Sequence, residues 1–338
     1  MTNHFIFRTF FFALTICFLS GCGAPVWQKA DLAERQGNLD SAASELESYI
    51  LQNPTDARAY YQLGEIRAQQ KRWDEMLIAL KTCDDLSDRW QMETANSREF
   101  YWTENINAGI HRQEAAEAGQ AISHFQTAIK ILPQNAAGHR LLGEAFLQSH
   151  QPAAAISAFE NALQFDPDDR RARRLIMRLY FGDKNYAASL NAAQYLQKHG
   201  SQDVETLRYL AYSLDKLDDR PAAITAYEAL IKQSGDVRDV EAFAAFQFRC
   251  GEYETAVDLS RIAISGDNAL RNLRAIAQMQ LMMKDYAGVA ITAEEILAIA
   301  PDDRAALALK QVSHAALGEQ QALDIISHRI QEQKDDQE

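Results

Sequence analysis

The sequence predicts an all-α chain built from a repeated pair of helices, and three observations carry that expectation. Of 338 residues, 47% are hydrophobic while only 7 are proline and 15 glycine. That balance is too apolar for a disordered chain and too poor in turn formers for a protein of many strands. Alanine-rich stretches such as 151–162 favour helix, because alanine loses no side-chain entropy there. Landmarks also recur. Pro133 and Pro167 lie 34 apart, while Gly64 and Gly143, like Pro54 and Pro133, lie 79 apart, which is two periods of 34 with a remainder of 11.

The best unit spans 135–167. Leu142 and Gly143 fall on its first helix, where a missing Cβ lets the second helix approach. Phe146 follows one turn later. Ala155, Phe159 and Ala162 share a face of the second helix, with small residues at the crossing and the phenylalanine as plug. Pro167 ends the unit, and Asp168 and Asp169 are placed to cap the next helix. A helix-turn-helix unit of this period resembles the tetratricopeptide repeat (TPR), and the resemblance covers nearly all of the chain after position 25. It implies a right-handed α-solenoid of about eight TPR helix pairs plus a C-terminal capping helix pair. The expected organisation is a leader over 1–21, a tether over 22–25, the solenoid over 26–333 and a disordered tail over 334–338.

The other units follow in order. The first, 25–54, carries Gly37, Ala42 and Leu46; the second has Tyr60, Leu63-Gly64, Trp73 and Leu80; the third has Ala108-Gly109, Ala121, Phe125, Ala128 and Pro133. The fifth has Tyr180, Tyr186 and Leu196, but Met177 stands where glycine or alanine is usual and Ser189 at a crossing position. The sixth has Leu210-Ala211, Ala223, Tyr227 and Leu230; the seventh Phe243-Ala244, Gly251, Tyr253 and Ala256; the eighth Ile276-Ala277, Tyr286, Ile296 and Pro301. A last pair over 303–333 reads as the cap. The extra segment falls near 88–101. It either lengthens the third unit's first helix by about three turns or starts a fresh helix at Asn96, with Glu99 completing a capping box. The aromatic residues there, Trp90, Phe100, Tyr101 and Trp102, either plug the joint or form a docking platform.

The segment 1–22 reads as an address. One arginine, Arg8, precedes an apolar run over 9–19 that is shorter than the roughly 20 residues a membrane-spanning helix needs. The run ends Leu19-Ser20-Gly21-Cys22, which resembles the bacterial lipobox. That resemblance implies cleavage before Cys22, a diacylglyceryl thioether on its sulfur and acylation of the new N-terminus. Two or three acyl chains hold a protein on a membrane almost permanently. Gly23 stands where an aspartate would signal retention in the inner membrane, so the expected place is the outer membrane, facing the periplasm; the inner membrane and the cell surface stay open. The tether is so short that the repeats are expected to begin at the membrane surface, with Trp27 near the interface.

Charge and chemistry narrow the function. A formal net charge of -13 argues against nonspecific binding to nucleic acid. Two cysteines beyond the lipobox, Cys83 and Cys250, are too few for a disulfide framework or a zinc site and read as core thiols. No phosphate loop, nucleophile elbow or zinc-protease motif occurs. Paired acids such as Asp84-Asp85 and Asp302-Asp303 read as helix-end residues explained by capping. The expectation is therefore a binding protein and not an enzyme, with no metal, cofactor or small-molecule substrate.

By the family resemblance, the first helix of each unit lines a concave face. Its outward positions in units four to eight hold Arg140, Arg171, Arg174, Arg178, Arg208, Lys216, Arg238, Arg249, Arg271 and Arg274, against Glu144, Glu205, Asp215 and Glu241, with Phe181, Tyr212 and Phe248 among them. Arginine forks bind carboxylates bidentately, so one reading is a groove for an acidic or carboxylate-bearing peptide. The other is that these arginines pair with acids on neighbouring repeats. The functional expectation is a lipid-anchored scaffold for protein contacts in the bacterial envelope, as in pilus or secretin biogenesis or outer-membrane assembly. A periplasmic chaperone or peptide carrier and an accessory subunit of polysaccharide synthesis or export are the alternatives.

Overall fold

A computed structural model describes residues 26–335. The expected leader over 1–21, lipidation at Cys22, the tether over 22–25, the Trp27 side chain and positions 336–338 of the expected tail lie outside the described residues. Everything described is helix and short connection. The first unit holds four antiparallel pairs: α1 (Val26–Arg35) with α2 (Leu39–Gln52), α3 (Ala57–Gln69) with α4 (Trp73–Leu86), α5 (Gln91–Glu114) with α6 (Ala118–Ile131), and α7 (Ala136–Gln148) with α8 (Pro152–Phe165). The second unit holds five: α9 (Arg170–Gly182) with α10 (Tyr186–Lys198), α11 (Val204–Lys216) with α12 (Arg220–Ser234), α13 (Val237–Cys250) with α14 (Tyr253–Ile262), α15 (Ala269–Met283) with α16 (Tyr286–Ile299), and α17 (Arg304–Leu317) with α18 (Gln320–Asp335). The division falls between Asp169 and Arg170. Eight pairs and a ninth capping pair are the number the repeats predict. The last helix runs on through Asp335, into the expected tail.

Each pair turns on one left-handed residue. These are Gly37, Lys71, Ala116, His150, Lys184, Asp218, Gly251, Lys284 and Gly318, all with φ between 58° and 85°. The next amide reaches back five residues to close the first helix, as in Arg72 N–H to Arg67 C=O at 2.9 Å and Gln151 N–H to Phe146 C=O at 2.8 Å. This is the Schellman closure that glycine usually makes at least strain. Here only three of the nine are glycine. The residue after the turn often caps the second helix: Asn38, Asn185, Asp219 and Asp285 each accept from a first-turn amide.

The turn spacing also locates the insertion. Successive left-handed residues are 33 or 34 apart except for the 45 between Lys71 and Ala116. The extra segment lengthens α5, which is one continuous helix of 24 residues through Asn96. Three of the four aromatics in this stretch plug the joint. Trp90 stacks on Tyr61 at 5.1 Å, buried Tyr101 tilts against Trp73 at 6.0 Å, and half-buried Trp102 packs between two core clusters. Phe100 stays more than half exposed. Asp84 and Asp85 are not caps. They sit in the last turn of α4, the end where a carboxylate opposes the helix dipole. Asp84 is held instead by Arg98 of α5 at 2.7 Å and by Thr94, so it ties the lengthened helix to the pair before it.

Within a pair, helix approach is set by two positions 16 apart. A Cβ added at Gly143 would lie 2.7 Å from the Phe159 ring; at Gly109 it would lie 2.4 Å from Phe125, and at Gly64 2.7 Å from Leu80. The plugs Leu80, Phe125 and Phe159 are fully buried. In the sixth pair Ala211 faces the equally buried Tyr227. The fifth pair reverses the sizes: Met177 is large, and Ala193, at the plug position, is small. Both are fully buried, and the Ser189 hydroxyl donates to the Met177 carbonyl at 3.0 Å. A large residue on one helix still meets a small one on the other, so the swap keeps the summed volume close to that of a glycine and a phenylalanine.

Cys83 is fully buried in α4, and burial pushes its thiol up to about 11, with Asp84 adding to the shift. It should not react with a thiol-specific reagent in the native chain at pH 8 and should react once denatured. Modification of native Cys83, separated from Cys250 by peptide mapping, would contradict the placement.

Candidate functional site

The arginines of the second unit lie where first helices of successive pairs stand side by side. α9 begins with Arg170, and its arginines reach forward. Arg174 is 3.3 Å from Asp203, the N-cap of α11, and Arg178 is 3.5 Å from Glu205 in the first turn of that helix. Arg208 of α11 grips Asp239 of α13 through two bonds of 2.7 and 2.8 Å and lies 3.6 Å from Asp236, the N-cap of α13. Arg274 of α15 reaches Asp303, the N-cap of α17, at 2.6 Å. Two arginines reach backward: Arg249 to Asp215 at 2.6 Å and Arg271 to Glu241. Arg238 folds onto Asp236 at 2.8 Å. In the first unit, Arg140 of α7 bridges Glu144 and Asp169 at 3.0 and 2.9 Å. Arg171 and Lys216 are exposed.

These contacts correct the charge count made along the helices. Counting acids only on the first helices found four. The structure adds Asp169, Asp203, Asp236, Asp239 and Asp303, mostly from cap positions, so at least eight of the ten cations pair with nine carboxylates. The reading in which arginines pair with acids on neighbouring repeats describes what the geometry shows. The recurrence was visible in the sequence. Asp169 follows Arg140, Asp203 follows Arg174 and Asp236 follows Arg208 at nearly the same spacing, each a little short of one period.

The centre of this network is Asp239, whose side chain is 1% exposed. It also accepts from the Tyr212 hydroxyl at 3.0 Å. Burial alone would push its carboxyl up, but the donors Arg208, Ser234 and Tyr212 outweigh burial and hold it below the usual carboxylate range. Burial and the nearby Asp239 push the Tyr212 phenol up to about 12. Asp203 and Asp303 are held low as well. For Asp203, burial opposes the shift and the hydroxyls and amide around it prevail; for Asp303, the bond from Arg274 is the main cause.

The aromatic residues divide. Phe181 meets Tyr186, Tyr209 and Tyr212 at 5.2, 5.3 and 6.3 Å, and the chain of rings continues through Tyr227 to Phe243 and Phe246. Phe248 packs instead on Tyr253. The pairs whose arginine is exposed, those of Arg174, Arg178, Arg238, Arg249, Arg271 and Arg274, contribute roughly 0–1 kcal/mol each, whereas Arg208 is locked on the buried Asp239.

Among the described residues, no group of histidine, cysteine and acids is arranged to hold a metal ion, and no helix is long and apolar enough to cross a membrane. No curated protein matches the chain. Among solved structures, it is similar to the MamA protein, with 19% identity over 53% of this chain and 94% of that one and a TM-score of 0.46. It is also similar to pilF of Pseudomonas aeruginosa, with 17% identity, 65% and 99% coverage and a TM-score of 0.41. A third likeness is to the TPR domain of P58(IPK), with 16% identity, 88% and 98% coverage and a TM-score of 0.31. None of these likenesses carries a functional argument. Two tetratricopeptide-repeat family models match directly, over residues 28–80 and 113–179. Both fall on helix pairs with the crossing-and-plug spacing, and the same pair recurs along the described chain. The chain is therefore a tetratricopeptide-repeat protein, with the fold of a scaffold for protein–protein contact.

Proposed function

We propose that this protein is a non-catalytic, lipid-anchored scaffold of the bacterial envelope. Acylated Cys22 holds it at the outer membrane, facing the periplasm, and the arginine-bearing face of the second unit receives an acidic or carboxylate-bearing segment of a partner protein. One observation carries the reading: the ion pairs along α9, α13 and α15 are exposed on their arginine side, with Arg238 84% and Arg271 69% open to solvent. Such pairs keep the guanidinium groups aligned and cost little to exchange. A partner's carboxylates then replace the more open internal ones, Asp203 and Glu205, while the largely buried Asp215 and Asp303 keep their arginines.

The test is affinity capture from crosslinked envelopes. Arg174→Gln with Arg178→Gln removes two forks without placing new carboxylates beside Asp203 and Glu205. The double variant should keep its helicity and lose partner capture at least severalfold, and Cys22→Ser should move the chain out of the membrane fraction. Undiminished capture would remove the acidic-partner reading, and membrane retention of the Cys22 variant would remove the anchor.

A further inference from the structure

Between α13 and α15 the second unit holds an open slot of roughly 280 Å³. Its walls are Ala245 and Phe248 on one side and Ala275 and Met279 on the other; Ala244 and Ser260 lie at its floor. The slot lies where the repeat's own residues are small. Every earlier pair from the second to the sixth places one large residue at the crossing position or at the plug position facing it: Leu80, Phe125, Phe159, Met177 or Tyr227. The seventh pair has Ala244 at the first position and Ser260 at the second, so neither is large. Nearer the surface, α11 carries Tyr209 and Tyr212, whereas the equivalent positions are Ala242 and Ala245 on α13, and Ala275 and Gln278 on α15. Rings that fill the step from α9 to α11 are missing at the step from α13 to α15.

The mouth of the slot is basic. Arg271 lines it, held over Glu241, which also accepts from Asn268 and Asn272 at 2.8 and 3.2 Å. Arg238 precedes Glu241 by about one turn on α13, and Arg274 adjoins Ala275 on α15; both are largely exposed.

We infer that this slot is the anchor point of the partner segment. It takes one large apolar side chain, aromatic or leucine-sized, flanked by acidic residues that pair with the surrounding guanidinium groups. The inference rests on the acidic-partner reading above and adds to it a specificity pocket. The side chain supplies the plug that the seventh pair lacks. Its charged flanks pair with the exposed sides of Arg238, Arg271 and Arg274, and the apolar contact discriminates among acidic segments that charge alone treats alike.

Two synthetic nonapeptides of glutamate and serine test it, one with a central phenylalanine and its twin with a central alanine. Their binding to the purified full chain is read by fluorescence anisotropy. The phenylalanine peptide should bind at least about tenfold more tightly than its twin, the scale expected for burying one such side chain. Ala245→Tyr puts into the slot the ring that α11 carries at the equivalent position. Because Ala245 is exposed, this variant should fold, and it should bring the two peptides to within about twofold of each other. Arg271→Gln should weaken both peptides alike. Equal binding of the two peptides to the wild-type chain overturns the slot, as does a preference that survives Ala245→Tyr. If those equal affinities fall with Arg174→Gln and Arg178→Gln, the acidic-partner reading stands without the slot. No binding of either peptide overturns the inference, and undiminished capture of partner by the arginine variant overturns the reading beneath it. Sedimentation of the chain alone separates one further outcome: self-association that Ala245→Tyr abolishes would assign the slot to a second copy of the chain and overturn the proposal of a partner protein.

Discussion

Phe159→Ala should destabilise the first unit by about 3–5 kcal/mol, the usual cost of removing a buried phenylalanine. The ring is fully buried and lies against the bare Cα of Gly143, so truncation leaves a void that the crossing residue has no atoms to fill. Neighbouring helices relax only partly into such a space. Urea unfolding followed by circular dichroism should show the loss in the early part of the transition, because stacked repeats unfold with limited cooperativity. A second substitution checks the mechanism. Gly143→Ala alone forces its new methyl to within 2.7 Å of the ring and should destabilise. In the Phe159→Ala background the same methyl enters the void and should cost far less, or stabilise. Additive effects of the two changes would mean that ring and glycine do not determine the approach of α7 and α8.

Asp239→Ala should cost the second unit about 3 kcal/mol, near the lower end for removing one partner of a buried ion pair. The lower end applies because Arg208, left behind, is 31% exposed and keeps Asp236 within 3.6 Å. The loss should also depend on pH. The Asp239 carboxyl is lower in the folded chain than in the unfolded one, as are those of Asp203, Asp236 and Asp303. A depressed carboxylate contributes stability above its unfolded value, near pH 4, and that contribution disappears as pH falls through the folded value. The wild-type unit should therefore weaken steeply below about pH 4. Asp239→Ala should flatten that slope and narrow its gap from wild type as the pH falls. A constant difference between pH 7 and pH 2.5 would show that the Asp239 charge is not what the fold uses.

The two predictions differ in how far the sequence alone could reach them. Phe159 and Gly143 were legible because crossing and plug are set by helix geometry and recur at one spacing along the repeats. The same logic exposed Met177 as a departure but not its remedy. That remedy is the small Ala193 opposite it, which only the pairing of α9 with α10 brings into view. The left-handed turns were legible by period and hidden by residue type: Lys71, Ala116, His150, Lys184, Asp218 and Lys284 hold a conformation in which glycine is expected. The length of the insertion was counted correctly from Gly64 and Gly143, but its form was left open until α5 proved continuous through Asn96.

The arginine face was the least legible part. Its partners were undercounted, because Arg174 and Asp203 or Arg208 and Asp239 come from different pairs, nearly one period apart in the chain. The sequence by itself determined the helix pair, its period and the residues that pack it, since these follow from backbone geometry within one unit. Only the tertiary structure decided which charges neutralise one another and where the packing leaves a space, because both depend on side chains that neighbouring units bring together.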